Sequence, residues 1–169
     1  LNLMRDTNVA GIIISPTRQT SINFSDSNLS LPMVAVDRPI PNVDVDAVLL
    51  DNVDAAYRLT THLIEQGYQR IGALFSEAST GLERQLGYEK ALRAHGLTLR
   101  TDHMKYVTPK IDTGYMATLK MIDLAEPPDA LFTVNSLLAA GALQAIQERN
   151  LTIPEDVALV TFDETTWAT

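Results

Sequence analysis

Short apolar runs alternate with amphipathic stretches along this chain, the pattern of strand–helix units wound on a mostly parallel sheet. Val9 to Ser15, with Ile12-Ile13-Ile14 β-branched and Pro16 closing the run, reads as a buried strand. Met33 to Val36 and Ala47 to Leu50 read as two more, separated by the turn Pro39-Ile40-Pro41. Residues 17 to 32 are polar and predict at most a short helix. From Val53 the period changes. Ala56, Leu59, Leu63 and the adjacent Ile64 recur at helical spacing up to Gln66, Asp51 or Asp54 can cap the start, and Gly67 suits the stop. Ile71 to Phe75 then predicts a strand, Gly81 to His95 a helix with Tyr88, Ala91 and Leu92 inward, and Lys105 to Val107 a short strand. Thr113 to Leu124 follows as a helix with Tyr115, Leu119 and Ile122 on one face, then Ala130 to Val134 as a strand. Ser136 to Arg149 is a helix and Val157 to Phe162 the last strand.

Four helix-then-strand units therefore follow residue 53, whereas three strands and little helix precede residue 51. The expected architecture is α/β with two lobes and parallel sheets. Residues 1–50 form an incomplete first lobe and residues 51–169 a second, with a crossover near Leu50-Asp51.

Composition narrows the function classes. Apolar residues make up 46% of the 169 and charged residues 20%, enough to fill a core. No apolar run approaches the roughly 18 residues of a transmembrane helix. The opening Leu1-Asn2-Leu3-Met4-Arg5-Asp6 lacks the basic-then-apolar pattern of a signal peptide, and without an initiator methionine it reads as a piece of something longer. Cysteine is absent, which excludes disulfides and thiolate metal sites. The net charge of −8, with no cluster of Lys and Arg, argues against nucleic-acid binding by this segment itself.

The candidate chemistry lies where strands end, because the ligand crevice of an open α/β sheet is at the carboxyl ends of its strands. Asp37-Arg38 closes one strand, Asn135-Ser136 a second, and Asp163-Glu164 a third. Arg84 is placed in the first turn of its helix, where a cation opposes the macrodipole, and Gly87 inside that helix is locally unfavourable by about 1 kcal/mol against Ala. Two such violations in four residues mean that packing or function overrides local preference. The competing reading for Arg84 is a solvated surface side chain. Asp163 also reads as a helix cap, Asn135 as cap, ligand contact or both, and Asp37-Arg38 as a turn with a surface cation. Asp51-Asn52 reads first as a cap and turn at the crossover, with ligand contact second.

Such a set suits a polyol or another small polar ligand, since carboxylates accept, an arginine fork donates in plane, and Asn does both. His62, His95 and His103 lack metal-ligand spacing and read as surface or partly buried structural residues. The chain has no dinucleotide or P-loop glycine motif, no G-x-S-x-G and no H-E-x-x-H, so neither cofactor nor catalytic machinery is expected.

Longer strings carry a family resemblance. They are Val9-Ala10-Gly11-Ile12-Ile13-Ile14-Ser15-Pro16, Leu31-Pro32-Met33-Val34-Ala35-Val36-Asp37-Arg38, Asp51-Asn52, and His62-Leu63-Ile64-Glu65-Gln66-Gly67-Tyr68-Gln69-Arg70-Ile71. Arg84-Gln85-Leu86-Gly87-Tyr88 and Ile153-Pro154-Glu155-Asp156-Val157 continue the order. In these the chain resembles the effector-binding core of LacI/GalR bacterial transcriptional regulators over nearly its whole length. The resemblance implies a periplasmic-binding-protein-like core, a helix-turn-helix headpiece outside this chain that binds operator DNA, and a cytoplasmic homodimer. It also implies a small effector, a sugar by family habit, held between the lobes by Arg84, Asn135 and Asp163.

Three departures accompany it. The usual Asn-Asp is Asn135-Ser136, which removes a carboxylate, and the usual Gly-Phe-Asp-Asp is Thr161-Phe162-Asp163-Glu164. The family's first strand and helix, its headpiece and its C-terminal return segments are not in this sequence, so the first lobe is expected to be mobile, exposed or completed by another chain. The expected function is effector sensing for a regulator, as a repressor, with effector contacts at Arg84, Asn135, Asp163, Asp37, Asp51 and Ser136. The alternative is an extracytoplasmic sugar-binding protein or receptor of the same fold without DNA function.

Overall fold

The computed structural model describes residues 9–17 and 31–163. The chain divides into two compact units, Leu1–Asp51 and Asn52–Thr169. The first holds a three-stranded parallel sheet of β1 (Ile12–Ile14), β2 (Met33–Asp37) and β3 (Asp46–Leu49), in the order β1-β2-β3. Ala35 is buried at its centre, while every residue of β3 is exposed. Most of the polar stretch 17–32, together with Glu164, lies outside the described residues.

The second unit alternates without interruption: α1 (Asn52–Glu65), β4 (Ile71–Phe75), α2 (Ser79–Ala94), β5 (Met104–Tyr106), α3 (Ile111–Ile122), β6 (Ala130–Thr133), α4 (Ser136–Glu148) and β7 (Ala158–Thr161). All strand pairs are parallel, in the order β5-β4-β6-β7. The chain thus leaves β4 toward β5 and returns on the other side to β6, which makes the β4/β6 junction the topological switch point. Right-handed crossovers send helices to both faces. Accordingly α1 packs on α2, and α3 on α4. β4 and β6 are buried along their whole length, as central strands covered on both faces must be.

Aromatic side chains fill the centre. Tyr88 lies edge-on to Phe75 (5.4 Å between centroids) and 5.8 Å from Phe132, which meets Phe162 edge-on at 6.0 Å. The Tyr88 hydroxyl donates to the Ile71 carbonyl at 2.7 Å, so its one polar atom is satisfied inside the core. Burial pushes that phenol far above its ordinary range.

The structure corrects three expectations. α2 begins at Ser79 rather than Gly81, so Arg84 sits in the second turn and the macrodipole argument for it lapses. β1 is open rather than buried, since of Ile12–Ile14 only Ile12 is buried and Ile13 is 79% exposed. On α3, Tyr115, Leu119 and Ile122 share a half-buried face as read, while the fully buried stripe is Gly114, Ala117, Thr118 and Met121. The cause is the close crossing of α3 and α4. A Cβ on Gly114 would stand 2.8 Å from the Leu138 carbonyl oxygen, so the small residues have to face the partner helix. His103 is fully buried rather than superficial, its Nε2 donating to the Glu126 carbonyl at 2.9 Å.

Gly87, read as an override of helix propensity, has a packing cause. A Cβ there would strike the Val53 carbonyl and lie 2.8 Å from both Ala56 Cβ and Tyr57 N. Only glycine lets α2 approach the α1 backbone this closely. The stops at Gly67 and Gly96 hold as read, with φ of 97° and 71° in the left-handed region.

Candidate functional site

Four of the proposed contact residues lie in the second unit, at the carboxyl ends of its strands. Arg84 comes from α2, which follows β4. Asn135 and Ser136 follow β6, and Asp163 stands two residues beyond β7. Asp37 and Asp51 belong to the first unit, where Asp37 ends β2 and Asp51 is the last residue.

Arg84 anchors the arrangement. It is 7% exposed, which excludes the solvated reading. Its guanidinium carbon lies 3.8 Å from the centroid of the Phe162 ring, the geometry of a cation on an aromatic face. Nε donates to Asn52 Oδ1 at 2.8 Å, and Nη1 donates to the Val134 carbonyl in a short hydrogen bond. The charge is therefore held at the switch point, beside the residues that precede Asn135 and Asp163 in sequence. This is also why a buried cation is tolerable there: a fixed amide oxygen, a carbonyl and a π-face replace water.

Asn52, the first residue of α1, is 2% exposed. Its Oδ1 takes the Arg84 Nε–H while its Nδ2 donates to Glu83 Oε2 at 2.8 Å. One amide thus bridges a guanidinium and a carboxylate, each meeting the pole of opposite sign. Sequence reasoning placed Asn52 as a cap and read Phe162 as strand, so neither was assigned to Arg84. An Asn opening a helix and a Phe ending a strand have ordinary local explanations, and only the fold brings them together.

Asn135 caps α4. Its backbone is extended (φ −163°, ψ 167°), and its Oδ1 accepts the Leu138 N–H at 3.0 Å. Ser136 is the first helical residue and half-buried. Asp163 is exposed and has φ 71°, and Asp37 has φ 74°. Aspartate pays about 1 kcal/mol or more in that region, and such conformations concentrate at binding sites. Asp37 is paired with its neighbour, since Arg38 Nε and Nη2 both donate to Asp37 Oδ2, at 2.9 and 2.7 Å. Among the described residues no cluster of His, Cys, Asp and Glu is arranged to hold a metal ion, and no helix is long and apolar enough to cross a membrane.

The model of a family described as periplasmic binding proteins and the sugar binding domain of the LacI family matches residues 1–169. The HTH-type transcriptional repressor PurR of Haemophilus influenzae (strain PittEE) is 30% identical over 97% of this chain and 50% of its own length. The HTH-type transcriptional repressor CytR of Escherichia coli (strain K12) is 31% identical over 78% of this chain and 39% of its own. Among solved structures, a regulatory protein of the LacI family from Chloroflexus aggregans superposes with a TM-score of 0.85 at 29% identity, covering 99% of this chain and 61% of that one. The chain spans about half the length of the curated relatives it matches.

Proposed function

The chain belongs to the family of periplasmic binding proteins and LacI-family sugar-binding domains, and on that premise we propose that it is the effector-sensing core of a transcriptional repressor. Its ligand is a small polar molecule, a sugar by the family's description. Arg84, Asn135, Ser136 and Asp163 contact it from the second unit, and Asp37 and Asp51 from the first. The observation that carries this reading is the buried Arg84 cation, fixed on Phe162 at the switch point by Asn52 and the Val134 carbonyl. A buried, pre-oriented guanidinium is costly for a fold to maintain, and it suits a hydroxyl- or carboxylate-bearing ligand.

Nothing in the site needs to react. Regulation follows from linkage: an effector with unequal affinity for two arrangements of the protein shifts their populations, and operator affinity shifts by the same coupling. Operator contact belongs to a helix-turn-helix segment like those that name the repressor relatives. The same reading makes the protein a cytoplasmic homodimer.

Thermal-shift screening of the full-length protein against D-glucose, D-ribose, D-fructose 6-phosphate and hypoxanthine tests the proposal. A selective rise in melting temperature that Arg84→Ala weakens by about 10-fold or more in apparent affinity supports it, since a charged hydrogen bond in a closed site is lost. A rise that Arg84→Ala leaves unchanged in a folded protein removes Arg84 from the site.

A further inference from the structure

We propose that Asn52 is the positioning residue for Arg84, itself oriented by Glu83, so that the direction of the guanidinium is set by a three-residue relay across two helices. An asparagine amide has one accepting and one donating end, and usually either orientation is feasible. Here Glu83, a carboxylate, can only accept, and Arg84 can only donate. The amide therefore satisfies both neighbours in one orientation alone, with Nδ2 toward Glu83 and Oδ1 toward Arg84, as found at 2.8 Å on each side.

With Nε committed to Asn52 and Nη1 to the Val134 carbonyl, the guanidinium plane has two fixed points and lies on Phe162. Without Asn52 the guanidinium loses the partner of its Nε–H, one of the points that fix its plane. The relay also has a distinctive address. Asn52 is the first residue of the second unit, directly after the crossover, so the side chain that orients Arg84 is rooted in the segment joining the two units. That Arg84 meets a ligand is taken from the reading above. That Asn52 orders it is independent of any ligand.

The test is solvent exchange of the Arg84 Nε–H, followed by nitrogen-15 NMR of the full-length protein without ligand, with folding checked by circular dichroism. In the unaltered protein this hydrogen should exchange slowly. Asn52→Ala should speed exchange by about 10-fold or more, the loss expected for a hydrogen bond from a charged donor. Asn52→Asp, which still accepts, should restore protection. Glu83→Ala should speed exchange by a smaller factor, while Glu83→Gln, whose amide oxygen accepts from Nδ2, should not. Unchanged exchange in Asn52→Ala and Glu83→Ala overturns the proposal, and if Asn52→Ala fails to fold, Glu83→Ala decides it.

Melting responses to the same four compounds separate the two claims. Asn52→Ala should weaken the response that Arg84→Ala weakens, and the double variant should lose no more than Arg84→Ala alone. If Arg84→Ala changes no response, the effector reading falls, and the exchange result still decides the role of Asn52.

Discussion

Replacing Gly87 by Ala sets two physical effects against each other with opposite signs. Helix propensity alone favours the substitution by about 1 kcal/mol, because Gly is the poorest non-proline residue inside a helix. Packing opposes it. The added methyl would meet the Val53 carbonyl and approach Ala56 Cβ and Tyr57 N to 2.8 Å, well inside the 3.4–4 Å of ordinary contact. Two of these three obstacles are backbone, so no rotamer change relieves the overlap, and α1 has to move away from α2. Overpacking of this kind costs roughly 1–3 kcal/mol, and rigid backbone obstacles put this site at the upper end. Subtracting the propensity gain leaves a net loss of about 2 kcal/mol, or a fall in melting temperature of roughly 4–8 °C for a chain of this size. Urea denaturation of the full-length protein and of Gly87→Ala, compared by midpoint at constant slope, measures it. The displacement should also part Asn52 on α1 from Arg84 on α2. A variant as stable as the original, or more stable, would refute the packing argument and leave propensity as the winner.

Asn135→Ala should cost about 0.5–2 kcal/mol by urea denaturation, because the Leu138 N–H loses its cap, while Asn135→Ser should cost far less. Tyr88→Phe removes the donor to Ile71 O in a fully buried position and should cost about 1–3 kcal/mol by the same assay, although ring packing is kept. Asp156 accepts from the Thr152 hydroxyl and N–H at 2.6 and 2.8 Å, and these bonds hold its carboxyl below the usual range. A depressed carboxylate contributes stability that is present above its unfolded-state pKa and lost as pH falls through the folded-state value. Urea midpoints followed from neutral pH down to about pH 2 should therefore decline less steeply in Asp156→Asn.

Much of the second unit was legible because each of its elements is periodic by itself. Ile71–Phe75 is the strand that the apolar run predicted, and the other boundaries moved by at most two residues, where capping and fraying decide. Gly87 stood out because it breaks helix propensity and has a packing cause, whereas Arg84 was singled out by a macrodipole argument that the observed helix start removes. What stayed hidden was cooperative. Asn52 satisfies local expectation as a helix-opening residue and Phe162 as a strand-ending one, so their convergence on Arg84 left no local mark. The fully buried face of α3 stayed hidden for a related reason. Its large residues Tyr115, Leu119 and Ile122 do share one face, but at a close helix crossing the small ones are buried deepest, and which helices cross is a property of the sheet order.

The cap at Asn135 has a consequence for how this protein can change over time. Its amide oxygen already accepts the Leu138 N–H, and its amide nitrogen is a donor. Aspartate and serine start a helix about as well as asparagine does. Aspartate would keep the cap and present only acceptors, and serine would keep it with a shorter hydroxyl. A single substitution can therefore reverse the hydrogen-bonding polarity offered at this point while α4 stays where it is. Under the proposed effector contact, residue 135 can change its polar character at almost no expense in folding, whereas any change at Arg84 disturbs its bond to Asn52 on the neighbouring helix.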